Sequence, residues 1–384
     1  MAYAELHAHT NFSLLDGTSD PEKMVDTAAA LGLRALAITD HDSVSGIIRF
    51  AAAAKKHEHF KAIIGVELTL TDQAHVVLLV KDVAGYENLC RLLTHSYARG
   101  GKDNPHVTFD ELAAHTPGLI ALSGCPNGEL PRALASGGQQ AALDVAARYR
   151  DAFGEDNYYV ELGNHRLQVD HTRNAVLRAI AKELEIGCVA TNDAHYHDTS
   201  RALLHHVVTC IRHGTTLVDA GTLLRGNDEY FLKSGAQMAH LFRNEIRLAA
   251  EEGRPELDPI RSTLDIAERC TFSLSQLRYD FPQPYIPEGE SAFSFLVRMV
   301  EVGKQLFYPN ADPRVDERIA LELGIVQQMN LAGYLLVFKE VVDWSHAHPR
   351  LGTGVGTTPL PGAVSDRSAG AQLALRAVLF TGAE

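Results

Sequence analysis

Residues 35–41 have the sequence Ala-Leu-Ala-Ile-Thr-Asp-His, in which a short apolar run ends in a carboxylate and an imidazole. An unbroken apolar run of this length is typical of a strand that is buried on both faces of a parallel sheet. Six more candidate strands occur between residues 5 and 191, and helix-like stretches separate most of them. This alternation predicts an α/β fold with a parallel sheet, either open or closed into a barrel.

Polar side chains lie at or near the C-terminal ends of these predicted strands, and their positions distinguish the two kinds of sheet. In a closed α/β barrel those ends converge on one face, which is the face that carries the chemistry. An open sheet would spread them along a crevice. We therefore predict a barrel, with one rim that carries His7, His9, Asp40, His41, Glu67, Cys125, Glu161, Asp193 and His195.

The sequence His-Ala-His at residues 7–9 has the same spacing as Asp-Ala-His at residues 193–195. Residues two apart on a strand project from the same face, so both side chains of a pair can reach one ion. One such pair is weak evidence. Two pairs at opposite ends of the array, with the Asp-His pair of residues 40–41 between them, predict a metal site.

Further candidate ligands are Asp16, Glu67, His75 and Cys125. Taken alone, Asp16 is also explained as a turn cap, His75 as a surface strand residue and Cys125 as a buried thiol. Imidazole with carboxylate suits Zn, Mn or Fe, and a single thiolate favours Zn. Because so many ligands exceed the needs of one tetrahedral ion, we expect two or three divalent metal ions.

Other polar residues receive weaker assignments. Glu161 and His165 are interpreted as supporting or substrate-facing groups, and the histidines of residues 55–59 as a solvated helix end. His205 and His206 lie in a helix-like run, so only one of them can face the barrel, and both are interpreted as ordinary helix residues.

The chemistry that suits such a cluster is hydrolysis of phosphate esters. Two ions about 3.5–4 Å apart can hold a bridging hydroxide and clamp the phosphoryl oxygens, so no nucleophilic side chain is needed. The sequence contains no phosphate loop of the Walker type, no Gly-x-Ser-x-Gly elbow and no Cys-x-x-Cys pair that would indicate a different chemistry.

Composition limits the class of protein. The net charge of −13 argues against a protein whose whole surface binds nucleic acid, but a DNA end can still enter a cleft that metal ions make positive. The five cysteines are scattered, so a disulfide framework is not expected. The first residues lack the features of a signal peptide, and no apolar run is long enough for a membrane span, so we predict a cytoplasmic protein.

From about residue 225 the alternation ends and the pattern is mostly helical. Residues 351–384 are rich in Gly, Ala and Thr, and we interpret them as a tail without a packed element. The predicted organisation is a barrel domain at 1–213, a connecting segment at 214–288, a smaller mostly helical region at 289–348 and an aberrant, disordered tail at 349–384.

Five motifs resemble the polymerase-and-histidinol-phosphatase (PHP) domain, and more narrowly the PHP domain that opens the alpha subunit of family C bacterial DNA polymerases. They lie at residues 6–10, 12–17, 39–41, 65–67 and 191–196. The resemblance implies a distorted seven-stranded βα barrel and nine metal positions, which correspond to His7, His9, Asp16, His41, Glu67, His75, Cys125, Asp193 and His195.

The resemblance continues to about residue 348, and the Arg-Tyr-Asp-Phe-Pro sequence at residues 278–282 is similar to the error-prone branch. It implies a protein of DNA replication or repair in which residues 289–348 begin the palm and thumb region. The DNA partner would be a 3′ end, and full-length relatives would also bind a sliding clamp and other replication proteins. Asp16, Asp193 and His195 are the predicted catalytic residues.

The resemblance then stops. Family members next present a Gly-Arg-Gly-Ser loop and later the acidic residues of the polymerase site, whereas this chain has residues 351–358 and, beyond them, only Asp366 and Glu384 as acids. Since a polymerase site needs several carboxylates to hold Mg²⁺, we predict no primer extension. We interpret the chain as an N-terminal fragment of a polymerase III alpha-like protein with an out-of-frame or truncated end and an intact 3′–5′ exonuclease site.

Two alternatives stay open. A small-molecule phosphatase of the histidinol-phosphate type would use the same ligands, although the polymerase-like segment at residues 228–337 argues against it. A non-catalytic, metal-stabilised structural module of a polymerase would bind ions without turnover.

Overall fold

A computed structural model describes residues 2–277, 284–310 and 312–347. The chain divides into two compact units, Met1–Leu277 and Arg278–Glu384. The first unit therefore extends past the predicted barrel boundary at residue 213. The predicted tail at 349–384 lies outside the described residues, so that interpretation stays a prediction.

Seven strands form one sheet in the order β1 to β7. The sheet closes where the segments after β1 and β7 meet, because Ala8 bridges Ala194 and the N–H of His9 donates to the Ala194 carbonyl at 2.8 Å. The predicted seven-stranded βα barrel is therefore confirmed. The strands are β1 (Ala4–Glu5), β2 (Ala35–Ile38), β3 (Lys61–Thr69), β4 (His75–Val80), β5 (Leu119–Leu122), β6 (Tyr158–Gly163) and β7 (Gly187–Thr191).

The prediction of a wholly parallel sheet is wrong at β4, which runs antiparallel to both β3 and β5. A tight turn joins β3 to β4: the Leu70 N–H donates to the Ala74 carbonyl at 2.8 Å, and Gln73 adopts a left-handed φ of 62°. A turn this short allows only a hairpin, because a parallel connection needs a crossover of a dozen or more residues. As a result the start of β4 lies on the same rim as the ends of the other strands.

Helices surround the barrel and close one end of it. Inward-facing apolar side chains of the strands form a cluster with Ile266 and Ala267 of the helix at residues 259–269 and with Cys270 directly after it, so this helix covers the strand starts. The opposite rim is left for polar residues. The helices are α1 (Pro21–Ala30), α2 (Ile47–Ala54), α3 (Val83–Gly100), α4 (Phe109–Ala113), α5 (Glu129–Phe153), α6 (Gln168–Leu184), α7 (Ala202–His213), α8 (Gly235–Leu241), α9 (Arg243–Glu252) and α10 (Pro259–Arg269).

The second unit is helical, as predicted. Its described residues form α11 (Ala292–Phe307), α12 (Pro313–Gln328) and α13 (Ala332–Ala347), which pack around Leu296, Val300, Val326 and Leu336. Ser291 caps α11, and Asp312 with Pro313 begins α12, both of which are common helix starts. No single helix among the described residues has the length and hydropathy to cross a bilayer. Only α12 and α13 together, bent by 113° at their junction, pass that test.

Candidate metal centre

The nine predicted ligands come from different strands and meet at one rim of the barrel. His7 and His9 follow β1, His41 follows β2, and Asp193 and His195 follow β7. The antiparallel direction of β4 brings its first residue, the predicted ligand His75, to the same rim. The side chains that line the cleft at this rim include Asp16, His41, Glu67, His75, Cys125, Asp193 and His195.

The innermost group consists of His7, His9, Asp193 and Glu67, and all four side chains are buried. The Nε2 atoms of His7 and His9 lie 3.3 Å apart, and Asp193 Oδ1 lies 3.6 Å from the first and 3.5 Å from the second. Glu67 approaches them to 3.5 Å and 3.4 Å. Two atoms that bind one zinc ion through tetrahedral bonds of about 2.0–2.1 Å lie about 3.3 Å apart. The distances between these side chains are therefore close to those between ligands of the same ion.

Neighbouring groups determine which ring nitrogen each histidine presents. Glu161 lies 2.7 Å from His7 Nδ1 and can only accept, so that nitrogen carries the proton. Ser13 donates to Asp40 at 2.7 Å and therefore accepts from His9 Nδ1 at 3.1 Å. Both histidines thus turn Nε2 toward the cluster. Burial lowers the pKa of His9 to about 3, so its Nε2 is free to bind metal. Burial also lowers the pKa of His7, but Glu161, Glu67 and Asp193 raise it further, so metal binding at His7 would release a proton.

Glu67 connects the inner group to a second group of ligands. Its carboxylate lies 3.2 Å from His41 Nδ1 and 3.3 Å from His75 Nδ1, and it accepts from Cys125 Sγ at 3.3 Å. Burial raises the pKa of Glu67, but the nearby histidines lower the pKa further, so the group is ionised. Burial and the Glu67 and Asp193 carboxylates raise the pKa of the Cys125 thiol, so metal binding there would release a proton.

Asp16 forms the centre of a third group. Its carboxylate lies 3.2 Å from His41 Nε2, 3.0 Å from His195 Nε2 and 3.0 Å from Arg212 Nη1. The loop that carries Asp16 can only turn in this way with glycine at the next position, since a Cβ on Gly17 would lie 1.9 Å from the Thr10 carbonyl oxygen.

Several residues of this rim were missed or misassigned from sequence. Asp40, at the end of β2, does not face the cluster; its carboxylate accepts from Thr10 and Ser13 at 2.7 Å and holds the loop instead. Arg225 was not singled out: its guanidinium stacks on Tyr230 at 3.9 Å and lies 3.5 Å from Asp193 Oδ2. Neither Arg225 nor Arg212 lies in a sequence motif that would have identified it as part of the site.

His205 was interpreted as an ordinary helix residue, but the structure places it beside Asp16 and His195, with ligand atoms of the three within 4.8 Å of one another. Burial and the nearby His195 and Arg225 lower the pKa of His205 to about 3, so its ring is neutral. The other ligands were predicted from their positions at the ends of strands. His205 lies on helix α7, so that pattern could not identify it as a ligand.

The residues at this rim fit a cation. Asp193 Oδ1, His75 Nδ1 and His205 Nε2 are buried and have no hydrogen-bond partner, although buried polar atoms normally have one. Asp193 also adopts a left-handed φ of 45°, which is the kind of backbone strain found at functional sites. Imidazole, carboxylate and one thiol are the donor types that divalent transition metals prefer.

Comparison with known proteins identifies the relatives of this chain. The family profile of the PHP domain matches residues 5–165. The DNA polymerase III subunit alpha of Treponema pallidum (strain Nichols) is 32% identical over 363 residues, which are 91% of this chain and 30% of that protein. The error-prone DNA polymerase of Mycobacterium tuberculosis (strain ATCC 25618 / H37Rv) is 34% identical over 371 residues, 93% of this chain and 33% of its own length. The chain thus spans about a third of the length of the curated relatives that it matches.

Two solved structures are more distant. An amidohydrolase from Chromobacterium violaceum is 19% identical with a TM-score of 0.34, and the match covers 50% of this chain and 87% of that one. The lesion-specific endonuclease PfuEndoQ from Pyrococcus furiosus is 16% identical with a TM-score of 0.35, over 50% of this chain and 48% of that one. The profile match identifies residues 5–165 as a PHP domain, in a chain that is homologous over more than nine-tenths of its length to bacterial DNA polymerase III alpha subunits and error-prone DNA polymerases.

Proposed function

We propose that this rim binds two or three divalent metal ions, of Zn, Mn or Fe, and hydrolyses phosphodiester bonds at a DNA 3′ end. One observation carries the proposal: the ligand groups share members. Glu67 belongs to a group with His9 and His41 and to another with His75 and Cys125. A carboxylate that contacts two ligand sets is how proteins hold two ions close together.

The proposed ions would be divided among the nine ligands by position. His7, His9 and Asp193 would hold one, Glu67, His75 and Cys125 a second, and Asp16, His41 and His195 a third. Glu67 would also reach the neighbouring ion, because it belongs to a group with His9 and His41 as well. Divalent ions bound there would supply Lewis-acid chemistry, lowering the pKa of an attacking water and offsetting charge on phosphoryl oxygens. In this proposal Asp16, Asp193 and His195 are the residues that would orient such a water and the scissile phosphate.

Two arginines at the cleft support a phosphate-containing substrate. Arg225 is held in place by stacking on Tyr230 and by Asp193, and Arg212 lies against Asp16 with 41% of its side chain exposed. A guanidinium presents a planar fork of donors that matches phosphate oxygens. In this proposal Arg212 and Arg225 orient the strand, while the acidic remainder of the surface repels it.

DNA is proposed as the substrate because the polymerase relatives match the chain well beyond the PHP domain. Their likeness extends over 91–93% of the chain, whereas the PHP profile ends at residue 165. Binding of a sliding clamp and of other replication or repair proteins stays a prediction that these observations do not address.

The experiment is a nuclease assay on the purified chain after chelation and reloading with Mn²⁺ or Zn²⁺. We expect a 5′-labelled single strand to be shortened from its 3′ end, and Asp193→Asn to lower the rate more than about 100-fold, because a buried ligand oxygen is replaced by an amide. Asp26→Asn, which changes an exposed carboxylate paired with His57, is the control.

Two outcomes would contradict the proposal. Faster turnover of a small phosphomonoester than of DNA would indicate a small-molecule phosphatase. Bound metal without cleavage of either substrate would indicate a structural module.

A further inference from the structure

His205 presents a buried nitrogen to the third ligand group without a partner for it. The residue lies on α7, and 3% of its surface is exposed. Its Nε2 atom has no hydrogen-bond partner, and the nearest carboxylate oxygen, Asp16 Oδ1, is 3.9 Å away. That distance is too long for a hydrogen bond. A buried ring nitrogen that is left unpaired costs free energy, so its position requires an explanation.

The orientation of α7 explains how His205 reaches the cluster. His205 and Arg212 are seven residues apart, which places them on the same face of a helix, and both approach Asp16. His206 is directed elsewhere and remains half-buried. The edge of one imidazole meets the face of the other where His205 and His195 pack, with ring centroids 5.3 Å apart.

The separations suit one shared ion. Two atoms that bind the same ion through bonds of about 2.1 Å lie about 3 to 4.2 Å apart, depending on the angle between the bonds. Asp16 Oδ2 and His195 Nε2 are 3.0 Å apart, and Asp16 Oδ1 and His205 Nε2 are 3.9 Å apart. The ligand atoms of all three residues lie within 4.8 Å of one another, so a pair at that limit would have to approach by about 0.6 Å to share an ion.

We propose that His205 is an additional metal ligand, through Nε2, of the ion that Asp16 and His195 hold. The inference rests on the proposed metal centre and extends it from the barrel strands to helix α7. Occupation of this position would tie α7, and with it Arg212, to the rim of the barrel. The placement of the proposed phosphate-binding arginine would then depend on the bound ion.

The test measures metal binding rather than turnover. Wild type, His205→Gln and His206→Gln would be dialysed against a series of Co²⁺ concentrations, and bound Co²⁺ would be counted by mass spectrometry. We expect wild type and His206→Gln to bind the same number of ions. In His205→Gln one ion should bind at least about tenfold more weakly, since a direct ligand is lost, while the others are retained.

The visible absorption of bound Co²⁺ gives a second measurement, because it reports the number and type of ligands. For the weakened ion, we expect the spectrum to change in His205→Gln and not in His206→Gln. Equal affinities and spectra in wild type and His205→Gln would overturn the role of His205 while leaving the metal centre intact. A wild type that binds no Co²⁺ would overturn the proposed centre itself.

If His205→Gln does not fold, crystals of the wild type grown with Co²⁺ provide the test. An anomalous peak within about 2.3 Å of His205 Nε2 is the expected result. A peak bound by Asp16 and His195 but more than about 3 Å from His205 would contradict the inference.

Discussion

The Nε2 atoms of His7 and His9 face each other at 3.3 Å beyond the end of β1. Glu161 accepts from His7 Nδ1 and Ser13 accepts from His9 Nδ1, so both Nε2 atoms point into the cluster. Burial lowers the pKa of His7, but the carboxylates of Glu161, Glu67 and Asp193 raise it further, so without metal His7 keeps a proton on Nε2 that a bound ion would displace. The two histidines, two residues apart in the sequence, thus direct two nitrogen ligands at the same point of the cluster.

Removal of metal should destabilise the barrel. Chelation would leave the buried carboxylates of Asp16, Glu67 and Asp193 close together with less positive charge to offset them, so we expect the melting temperature to fall by about 10 °C. Differential scanning calorimetry before and after dialysis against a chelator measures the change. Re-addition of Zn²⁺ or Mn²⁺ should restore the original value. A melting temperature that changes neither on chelation nor on re-addition would contradict the proposal that the protein binds metal.

Glu161→Gln should weaken metal binding without unfolding the protein. Glu161 accepts from His7 Nδ1, from the Thr191 hydroxyl and from the Gly124 N–H, so it fixes the orientation of the His7 ring. Carboxylates that support a ligand histidine in this way typically contribute 10–100-fold to metal affinity, and we expect a loss of about that size. Competition with a chromophoric chelator measures it.

The matched control for this change is Glu252→Gln. Glu252 pairs with Arg178 and Lys182 on the outside of the barrel, far from any candidate ligand. The metal affinity of the Glu252→Gln protein should equal that of wild type. If Glu161→Gln also binds metal like wild type, His7 is not oriented through Glu161.

Arg212→Ala should affect substrate binding more than the chemical step. Its side chain is 41% exposed at the cleft, where it can contact a phosphate of the strand. We expect KM for single-stranded DNA to rise about tenfold at saturating metal. A plot of log affinity against log salt concentration should become less steep, by the amount expected for the loss of about one phosphate contact. Arg247→Ala, which removes an exposed arginine paired with Glu251, should change neither quantity. A lower kcat with unchanged KM would instead place Arg212 in the metal site.

Glu5→Ala should destabilise the closure of the barrel. The buried Glu5 carboxylate accepts from the N–H groups of Leu6 and His7 and, across the seam, from the N–H of Asn192, all at 3.1–3.2 Å. Removal of this acceptor leaves buried donors unpaired, so we expect a loss of about 2–4 kcal/mol in the free energy of unfolding.

Urea unfolding of the metal-free protein separates this effect from that of metal. Glu22→Ala, which breaks an exposed ion pair with Arg49, should cost less than about 1 kcal/mol. A Glu5→Ala protein as stable as Glu22→Ala would show that Glu5 does not hold the seam.

The seven strands and their common rim could be predicted from sequence because each buried strand is a short apolar run that ends in a polar residue. The direction of β4 could not. Its apolar run has the same appearance in either direction, and the deciding feature is the short turn near Gln73, which leaves no room for a crossover. His75 therefore belongs to the start of its strand and still joins ligands that follow the ends of other strands.

The parts of the site that sequence did not reveal come from outside the strand array. Arg225 is positioned by stacking on Tyr230, and His205 and Arg212 by the face that α7 turns toward the rim. A helix pattern shows which residues share a face, but the tertiary packing decides which face meets the cleft. For that reason the histidine at 205 could not be distinguished in advance from the one at 206.

The number of metal ions bound per chain tests the shared-ligand centre most directly. Zn²⁺-loaded wild type and Glu67→Gln would be freed of loosely bound ions by gel filtration and analysed by mass spectrometry. We predict two or three ions per chain in wild type and at least one fewer in Glu67→Gln, since that carboxylate contacts two groups of ligands. Fewer than two ions per wild-type chain, or equal counts in the two proteins, would contradict the account.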